Sequence, residues 1–185
     1  MLLANLVLTE TLTASPALTI TVSTDKQSYY LRQSVTVSGN LTLDGQPVQD
    51  GLVALQIKAF GSQIICRTLS TGTIPPDGWK VKIDDIIPCD SDYNPKDNFK
   101  PNSWLYLNVT VRNDDLYSHD ALTTINVYDG NQIPICFTAW KGTIAAGAIS
   151  YYYTSLWIPA WACTGNAKIY ANVYDGYPDE RGTPY

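Results

Sequence analysis

The chain has 185 residues, 45% of them hydrophobic and 16% charged, with a formal net charge of −5 at pH 7. This length supports one core, or one full domain with a partial one, but not two large domains. The acidic balance, without any cluster of Lys or Arg, argues against nucleic acid and anionic membranes as partners. Abundant Thr, Tyr, Val and Ile favour pleated, half-buried surfaces, so we expect an all-β protein.

Alternation of apolar and polar residues with period two predicts the strands. In chain order the predicted strands are 18–24, 34–43, 51–59, 63–70, 79–86, 103–112 and 121–130, followed by three further segments at 131–140, 148–161 and 167–176. Gly39 lies on the apolar face of its strand, where a glycine marks a bulge or a close backbone approach. No segment has a helical period.

Seven short strands over 17–130, joined by Gly, Pro and Asp turns, predict an antiparallel β-sandwich of immunoglobulin type. The stretch 24–57, TDKQSYYLRQSVTVSGNLTLDGQPVQDGLVALQI, resembles macroglobulin MG2-like immunoglobulin-fold repeats of prokaryotic secreted and surface proteins. The matching positions are Asp25, Lys26, Tyr30, Val35, Val37, Gly39, Leu41, Asp44, Gly45, Pro47, Val48 and Val53. The resemblance covers roughly 17–129. It implies a fold and an extracellular or cell-surface location, without a chemistry.

The chain has four cysteines without a CxxC spacing: Cys66, Cys89, Cys136 and Cys163. His119 is its single histidine. This pattern argues against a zinc site. An even count at wide spacing indicates two disulfides and an oxidising, extracellular setting. Of the three pairings, we prefer Cys66–Cys89 with Cys136–Cys163, because each pair then lies within one predicted unit. Four buried free thiols are the alternative.

Two N-x-T sequons, at Asn40 and Asn108, fall on the polar parity of their strands. Both side chains are therefore expected to point to solvent and to be available for glycosylation.

The pentapeptide NVYDG occurs twice, at 126–130 and 172–176. In both copies the valine lies on the apolar parity and Asp-Gly leads out of a predicted strand. We interpret the copies as equivalent strand ends. A sandwich normally needs seven strands, whereas 131–185 provides three or four, so we predict an incomplete β unit there. Its open acceptor groove would be lined by Phe137, Trp157, Trp161, Ile169 and Val173.

Residues 1–16 are the predicted partner of that unit. One parity of this segment is apolar except for Glu10, and its apolar members are Leu2, Ala4, Leu6, Leu8 and Leu12. The hypothesis is that this donor strand inserts into the 131–185 unit of a neighbouring copy, which builds a homopolymer by donor-strand complementation. Alternatively, the segment pairs within its own chain, or is a disordered tail. Its first eight residues are too short to span a membrane and lack the basic residues of a signal peptide.

The catalytic motifs we looked for are missing from the sequence: it contains no GxSxG, HExxH or phosphate-binding glycine loop. His119 is expected in an exposed loop, and neither an enzymatic activity nor a cofactor is predicted. The spacing of Asp90, Asp92 and Asn94 is that of the start of a calcium loop. However, Pro95 stands where the turn glycine is required, and Pro101 stands where the bidentate glutamate ligand is required. They are a weak metal candidate.

Aromatic residues are concentrated in the last third of the chain, at Trp140, Trp157, Trp161 and Tyr151 to Tyr153. They fit a sugar-binding platform, a core or a subunit interface. The predicted function is a structural subunit of an extracellular filament or surface layer, whose partners are copies of itself. The alternative is a monomeric extracellular binding module or adhesin that uses the Trp/Tyr cluster for a carbohydrate or protein. The composition would suit a harsh environment such as that of a thermophilic archaeon.

Overall fold

The computed structural model describes residues 17–30, 33, 35–59, 61–72 and 80–185. The predicted donor strand, residues 1–16 with Leu2, Ala4, Leu6, Leu8 and Leu12, lies outside the described residues. The described strands are β1 (Leu18–Thr24), β2 (Val37–Leu43), β3 (Gln46–Pro47), β4 (Leu52–Ala59), β5 (Ser62–Ser70), β6 (Val81–Cys89), β7 (Ser103–Asn113), β8 (His119–Tyr128), β9 (Pro134–Ile144), β10 (Ile149–Ile158) and β11 (Lys168–Tyr174).

The strands form three antiparallel sheets, with orders β1-β2-β3, β10-β7-β6 and β11-β8-β9, and one antiparallel hairpin, β4-β5. One 3-10 turn, Pro178–Glu180, is the helical element of the described residues. The predicted all-β class is confirmed, and the predicted strand positions agree with the observed ones to within a few residues. The finer assignment to an immunoglobulin-like sandwich stays a prediction.

The main core lies between the β10-β7-β6 and β11-β8-β9 sheets. Alternate residues of β7 point into it, and they are all buried: Leu105, Leu107, Val109 and Val111. Ile125 and Val127 of β8 and Val173 of β11 meet them from the opposite sheet. Each of these side chains stabilises the fold by roughly 1.5–3 kcal/mol through its burial. The inward parity predicted from the sequence is therefore correct for these strands.

Residues 131–185 do not form a unit of their own, which corrects the predicted boundary at residue 130. Strands β9 and β11 flank β8 on its two sides, so that Ile125 lies opposite Thr138 and also opposite Ala171. Strand β10 pairs with β7 over its whole length. The backbone partners that seemed to be missing from the C-terminal third are supplied by the chain's own β7 and β8. An acceptor for a donor strand is not needed there.

The asparagines of the two NVYDG copies bind the same stretch of β5. Asn126 accepts a hydrogen bond from the Cys66 amide (3.2 Å) and donates one to the Cys66 carbonyl (2.7 Å). Asn172 donates to the same carbonyl (3.4 Å) and accepts from the Thr68 amide (3.2 Å). Each side-chain amide thus provides a donor and an acceptor to the backbone of β5. They anchor the β4-β5 hairpin on the outer face of the β11-β8-β9 sheet.

The aspartates of the two copies organise the loops that follow their strands. Asp129 accepts hydrogen bonds from the amides of Asn131 (2.9 Å), Ile133 (3.0 Å) and Cys163 (2.9 Å). Asp175 accepts hydrogen bonds from the amide and the hydroxyl of Thr183. The prediction that both copies are strand ends running into turns is confirmed.

Apolar and charged contacts complete the attachment of the hairpin. Cys66 of β5, Leu122 of β8 and Tyr174 of β11 form a second buried cluster beneath it, with Phe137 at its side. The Arg67 guanidinium lies 3.9 Å from the centre of the Tyr170 ring. One outer face of the molecule is thus covered by protein.

The N-terminal sheet is much less buried. Leu18 and Leu43, which lie opposite each other on its apolar face, are 51% and 39% exposed. Gly39 lies on the same face, and a Cβ at this position would come within 2.1 Å of the Thr21 carbonyl oxygen. The predicted close backbone approach at Gly39 is confirmed.

We predict that Asn126→Ala lowers the free energy of unfolding by about 1–3 kcal/mol, because it removes the side-chain acceptor of the buried Cys66 amide and the shortest side-chain hydrogen bond to the Cys66 carbonyl. The measurement is urea denaturation followed by fluorescence. Asn166→Ala, at an exposed loop position, is the control and should be neutral. Equal stability of the two variants would contradict the anchoring role.

A candidate ligand-binding face

The outer face of the β10-β7-β6 sheet carries a group of large aromatic side chains. We call it the aromatic face and define it by Tyr93, Trp104, Tyr106, Tyr151, Tyr153 and Trp157. Trp104 is 49% exposed and Trp157 is 43% exposed, while Tyr151 and Tyr153 are 61% and 55% exposed. This face lies opposite the main core, on the side of the molecule away from the hairpin.

The alternation of β7 and β10 produces this face. On β7 the residues that precede and follow buried Leu105 are Trp104 and Tyr106, which must point outward. On β10 the same parity exposes Tyr151, Tyr153 and Trp157 and turns Tyr152 inward. The antiparallel register then places Trp157 directly opposite Trp104. The alternating sequences of β7 and β10 therefore supply side chains to both the core and the aromatic face.

The rings are held by contacts with one another. Trp104 and Trp157 meet edge to face with their centres 5.1 Å apart and their planes at 72°. Tyr93 meets Tyr153 in the same manner at 4.7 Å and 63°. Such pairs are favoured by the ring quadrupoles and restrict the side-chain rotamers. The aromatic face is therefore partly preorganised for a flat partner.

Tyr93 reaches the sheet from the loop after β6, which is shaped by one aspartate. Asp90 Oδ1 accepts hydrogen bonds from the amides of Asp92 (2.9 Å) and Asn94 (3.0 Å). Tyr93 has a left-handed φ of +64°. The Asn94 amide, with smaller contributions from Asp92 and Lys96, holds the pKa of Asp90 below its usual value. The carboxylate is engaged in positioning the tyrosine.

The same loop contained the weak calcium candidate formed by Asp90, Asp92 and Asn94. Here Asp90 is a hydrogen-bond acceptor for its own loop, and Asn94 donates toward it instead of offering a ligand oxygen. In the described part of the chain, no group of three or more His, Cys, Asp or Glu is placed to hold a metal ion.

Asn108 lies in the middle of the aromatic face, opposite Tyr153 on β10 and Ile87 on β6. It is half-buried, and its Oδ1 is covered and without a hydrogen-bond partner among the described residues. The predicted outward parity is correct for exposed Asn40 and for Asn108, although the Asn108 amide oxygen is covered by neighbouring groups. Glycosylation of either asparagine stays a prediction.

The predicted acceptor groove is dispersed, which corrects that hypothesis. Phe137 packs under the hairpin, and Ile169 and Val173 belong to the main core. Trp157 is on the aromatic face, and Trp161 is 51% exposed in the loop after β10. The groove fails because Phe137 lies on the outer face of the β11-β8-β9 sheet, Ile169 and Val173 lie on its inner face, and Trp157 belongs to the other large sheet.

The Trp/Tyr cluster predicted from the sequence is also divided by the sheet. Trp140 packs on Tyr152 inside the molecule, with ring centres 4.9 Å apart. Sequence reasoning identified Tyr151, Tyr153 and Trp157, but missed Trp104, Tyr106 and Tyr93. Trp104 was recognisable as a large apolar residue on the polar parity of its strand. Tyr93 carried no such signal, since its position depends on the fold of a loop.

His119 is the first residue of β8 and is half-buried, so the predicted exposed loop position is wrong. Its Nε2 lies 2.7 Å from Asp115 Oδ2, and its ring meets Tyr185 edge to face. The hydrogen bond with His119 is the main reason that the pKa of Asp115 is lowered.

A polar cleft of about 570 Å³ adjoins His119. Its charges largely compensate one another, as in the ion pair of Lys141 with Glu180.

All four cysteines are free thiols in this structure. Cys66 belongs to β5 of the hairpin and faces the β11-β8-β9 sheet, whereas Cys89 ends β6 in another sheet, so the preferred Cys66–Cys89 pairing is wrong. Cys136 donates to the Trp157 carbonyl (3.1 Å), which also leaves the predicted bond to Cys163 unformed. Burial raises the pKa of both Cys66 and Cys136 to about 11. Cys163 is exposed.

No protein-family model and no curated protein matches the chain. The resemblance to macroglobulin MG2-like repeats therefore stays a prediction. Among solved structures, the chain is similar to the crystal structure of the C-terminal domain of Wzt, with 15% sequence identity and a TM-score of 0.48 over 60% of this chain and 72% of that one. No functional conclusion follows from so distant a likeness.

Among the described residues, no helix has the length and apolar character to cross a membrane.

We predict that a thiol reagent at pH 8 labels Cys163 rapidly in the folded protein and the other three cysteines only after denaturation. Accessible thiolate is the reactive species, and the other three side chains are buried or half-buried. The measurement is mass spectrometry of labelled peptides. If Cys163 and Cys136 react only after addition of a reductant, they form the disulfide predicted from the sequence, and their free state here is contradicted.

Proposed function

We propose that this chain is a non-enzymatic binding module that holds a carbohydrate on its aromatic face, in an extracellular or cell-surface setting. The observation that carries the proposal is the exposed pair of Trp104 and Trp157 in line with Tyr153 and Tyr151. A contiguous exposed patch of this kind is a sign of an interaction site.

The chemistry of the aromatic face fits a sugar better than a purely apolar partner. Tyrosine and tryptophan combine a flat apolar ring with a polar O–H or N–H group, which suits ligands that have both apolar faces and hydroxyl groups. Ser155, Thr110 and Asn108 lie between the rings and supply polar side chains. The residues of the face include no nucleophile paired with a base, so the proposed role is binding without catalysis.

A second candidate function is the homopolymer predicted from the sequence. The strands of 131–185, which were the predicted acceptor, are already paired with β7 and β8 of the same chain. The exposed apolar face of the β1-β2-β3 sheet provides a different acceptor, with Leu18 and Leu43 uncovered. Strand β1 is at the edge of that sheet. Residues 2–12 of a second copy have the alternation required to extend it.

We predict that Trp157→Ala and Trp104→Ala each weaken glycan binding about fivefold or more, because each removes a ring worth at least about 1 kcal/mol of stacking. Binding is measured by affinity electrophoresis in gels that contain soluble polysaccharides. Tyr30→Ala removes a ring that is 79% exposed but lies in the connection between β1 and β2, outside the aromatic face, and this variant should bind like the unchanged protein. Equal binding by all three variants would refute the use of the aromatic face.

For the second candidate, we predict that deletion of residues 1–13 abolishes self-association and leaves the thermal unfolding midpoint almost unchanged. Sedimentation velocity and negative-stain images give the oligomeric state. If the undeleted chain sediments as a uniform 20.4 kDa species, the homopolymer is ruled out, and the binding module stands as the remaining candidate.

A further inference from the structure

We infer, on the basis of the proposed carbohydrate binding, that the ligand is an extended neutral polysaccharide that lies along β10 and is bound within its chain instead of at its end. Three features of the aromatic face lead to this ligand class: its length, its open ends and its charge.

The rings are distributed along β10 over a distance that one sugar cannot cover. Tyr153 and Tyr151 point to the same side of β10 as Trp157 and lie four and six residues before it in the chain. At about 3.3 Å per residue, these separations are roughly 13 Å and 20 Å. A monosaccharide contacts one ring position at a time, whereas an extended chain contacts all of them. The affinity should therefore increase with chain length.

Both ends of the aromatic face are open to solvent. Trp157, near the end of β10, is 43% exposed, and Ile149, at its start, is 45% exposed. A pocket for the end of a glycan would enclose the terminal sugar, which would require buried walls at one end. The flat, open face instead accepts a segment from the interior of a long chain.

The cations on the strands of the sheet itself are already paired. Arg112 contacts Asp84 (3.0 Å) and Asp114 (3.1 Å), and Lys82 also pairs with Asp114. The neighbouring loop carries exposed Asp92 and Asp97 together with exposed Lys96 and Lys100, so these four residues balance in charge, while the whole chain has a net charge of −5. An anionic polysaccharide would meet a chain of net negative charge and no unpaired cation on the strands of the sheet. A neutral one avoids that cost.

The test uses isothermal titration with cello- and manno-oligosaccharides from disaccharide to hexasaccharide, and affinity electrophoresis with neutral hydroxyethylcellulose and glucomannan against anionic alginate and polygalacturonate. We expect affinity to rise about tenfold or more from disaccharide to hexasaccharide, as contacts with successive rings accumulate. Neutral polymers should retard the protein, and anionic ones should not.

Tyr151→Ala provides the sharper readout, since this ring is at the far end from Trp157. It should weaken hexasaccharide binding severalfold while leaving binding of the shortest bound oligosaccharide unchanged, whereas Trp157→Ala should weaken both. Tyr30→Ala is again the control. Circular dichroism and thermal unfolding confirm that each variant is folded.

The outcomes separate this inference from the proposed function. Affinity that is independent of length, or preference for alginate or polygalacturonate, with loss of binding in Trp157→Ala, overturns the extended neutral ligand and leaves carbohydrate binding intact. Failure of every oligosaccharide and polymer of the set to bind overturns both.

Discussion

The architecture depends on the hydrogen bonds that two asparagine side chains make to the backbone of one residue of β5, Cys66. Asn126 and Asn172 lie on adjacent strands and converge on Cys66, at distances between 2.7 and 3.4 Å. Their amides are buried or half-buried and would be costly to leave unpaired, so they fix where the β4-β5 hairpin sits. The hairpin covers one outer face of the molecule, and the face of the other large sheet stays open. This asymmetry makes one sheet structural and leaves the other available for binding.

The division between core and aromatic face follows from the pleat of β7 and β10. Leu105 points inward and Trp104 outward, although they are neighbours in the chain. Tyr152 packs inside on Trp140, while Tyr151 and Tyr153 on either side of it are exposed. Because the side chains alternate, the strands that bury the core also align the exposed rings. Rigid strands position such groups more firmly than a loop would.

The sequence allowed the strands to be located but not their partners. Alternation reports which residues share a face, and it was correct for Leu105, Val109 and Val127. It carries no information on which strand lies alongside, because sheet pairing is non-local. For that reason 131–185 resembled an incomplete unit, when its strands in fact complete the sheets of β7 and β8. The same limitation led to the incorrect predictions of an acceptor groove and of the Cys66–Cys89 pairing.

The repeated NVYDG segment shows what a local motif can reveal. Its valines and aspartates have the roles expected of strand ends. The function of its asparagines required knowledge of β5, in which Cys66 lies 60 residues before Asn126 and 106 residues before Asn172. Likewise, half of the aromatic face was recognisable from the clustering of Tyr151, Tyr153 and Trp157. Tyr93 was not, because its place depends on the hydrogen bonds that Asp90 makes within its loop.

The central claim, that the open outer face of the β10-β7-β6 sheet is where a ligand binds, is tested most directly by NMR of the tryptophan indole groups. On titration with a soluble neutral polysaccharide, the account predicts that the indole signals of Trp104 and Trp157 shift together, while that of internal Trp140 does not move. Shifts confined to Trp140, or unchanged Trp104 and Trp157 signals in the presence of a bound polysaccharide, would contradict it.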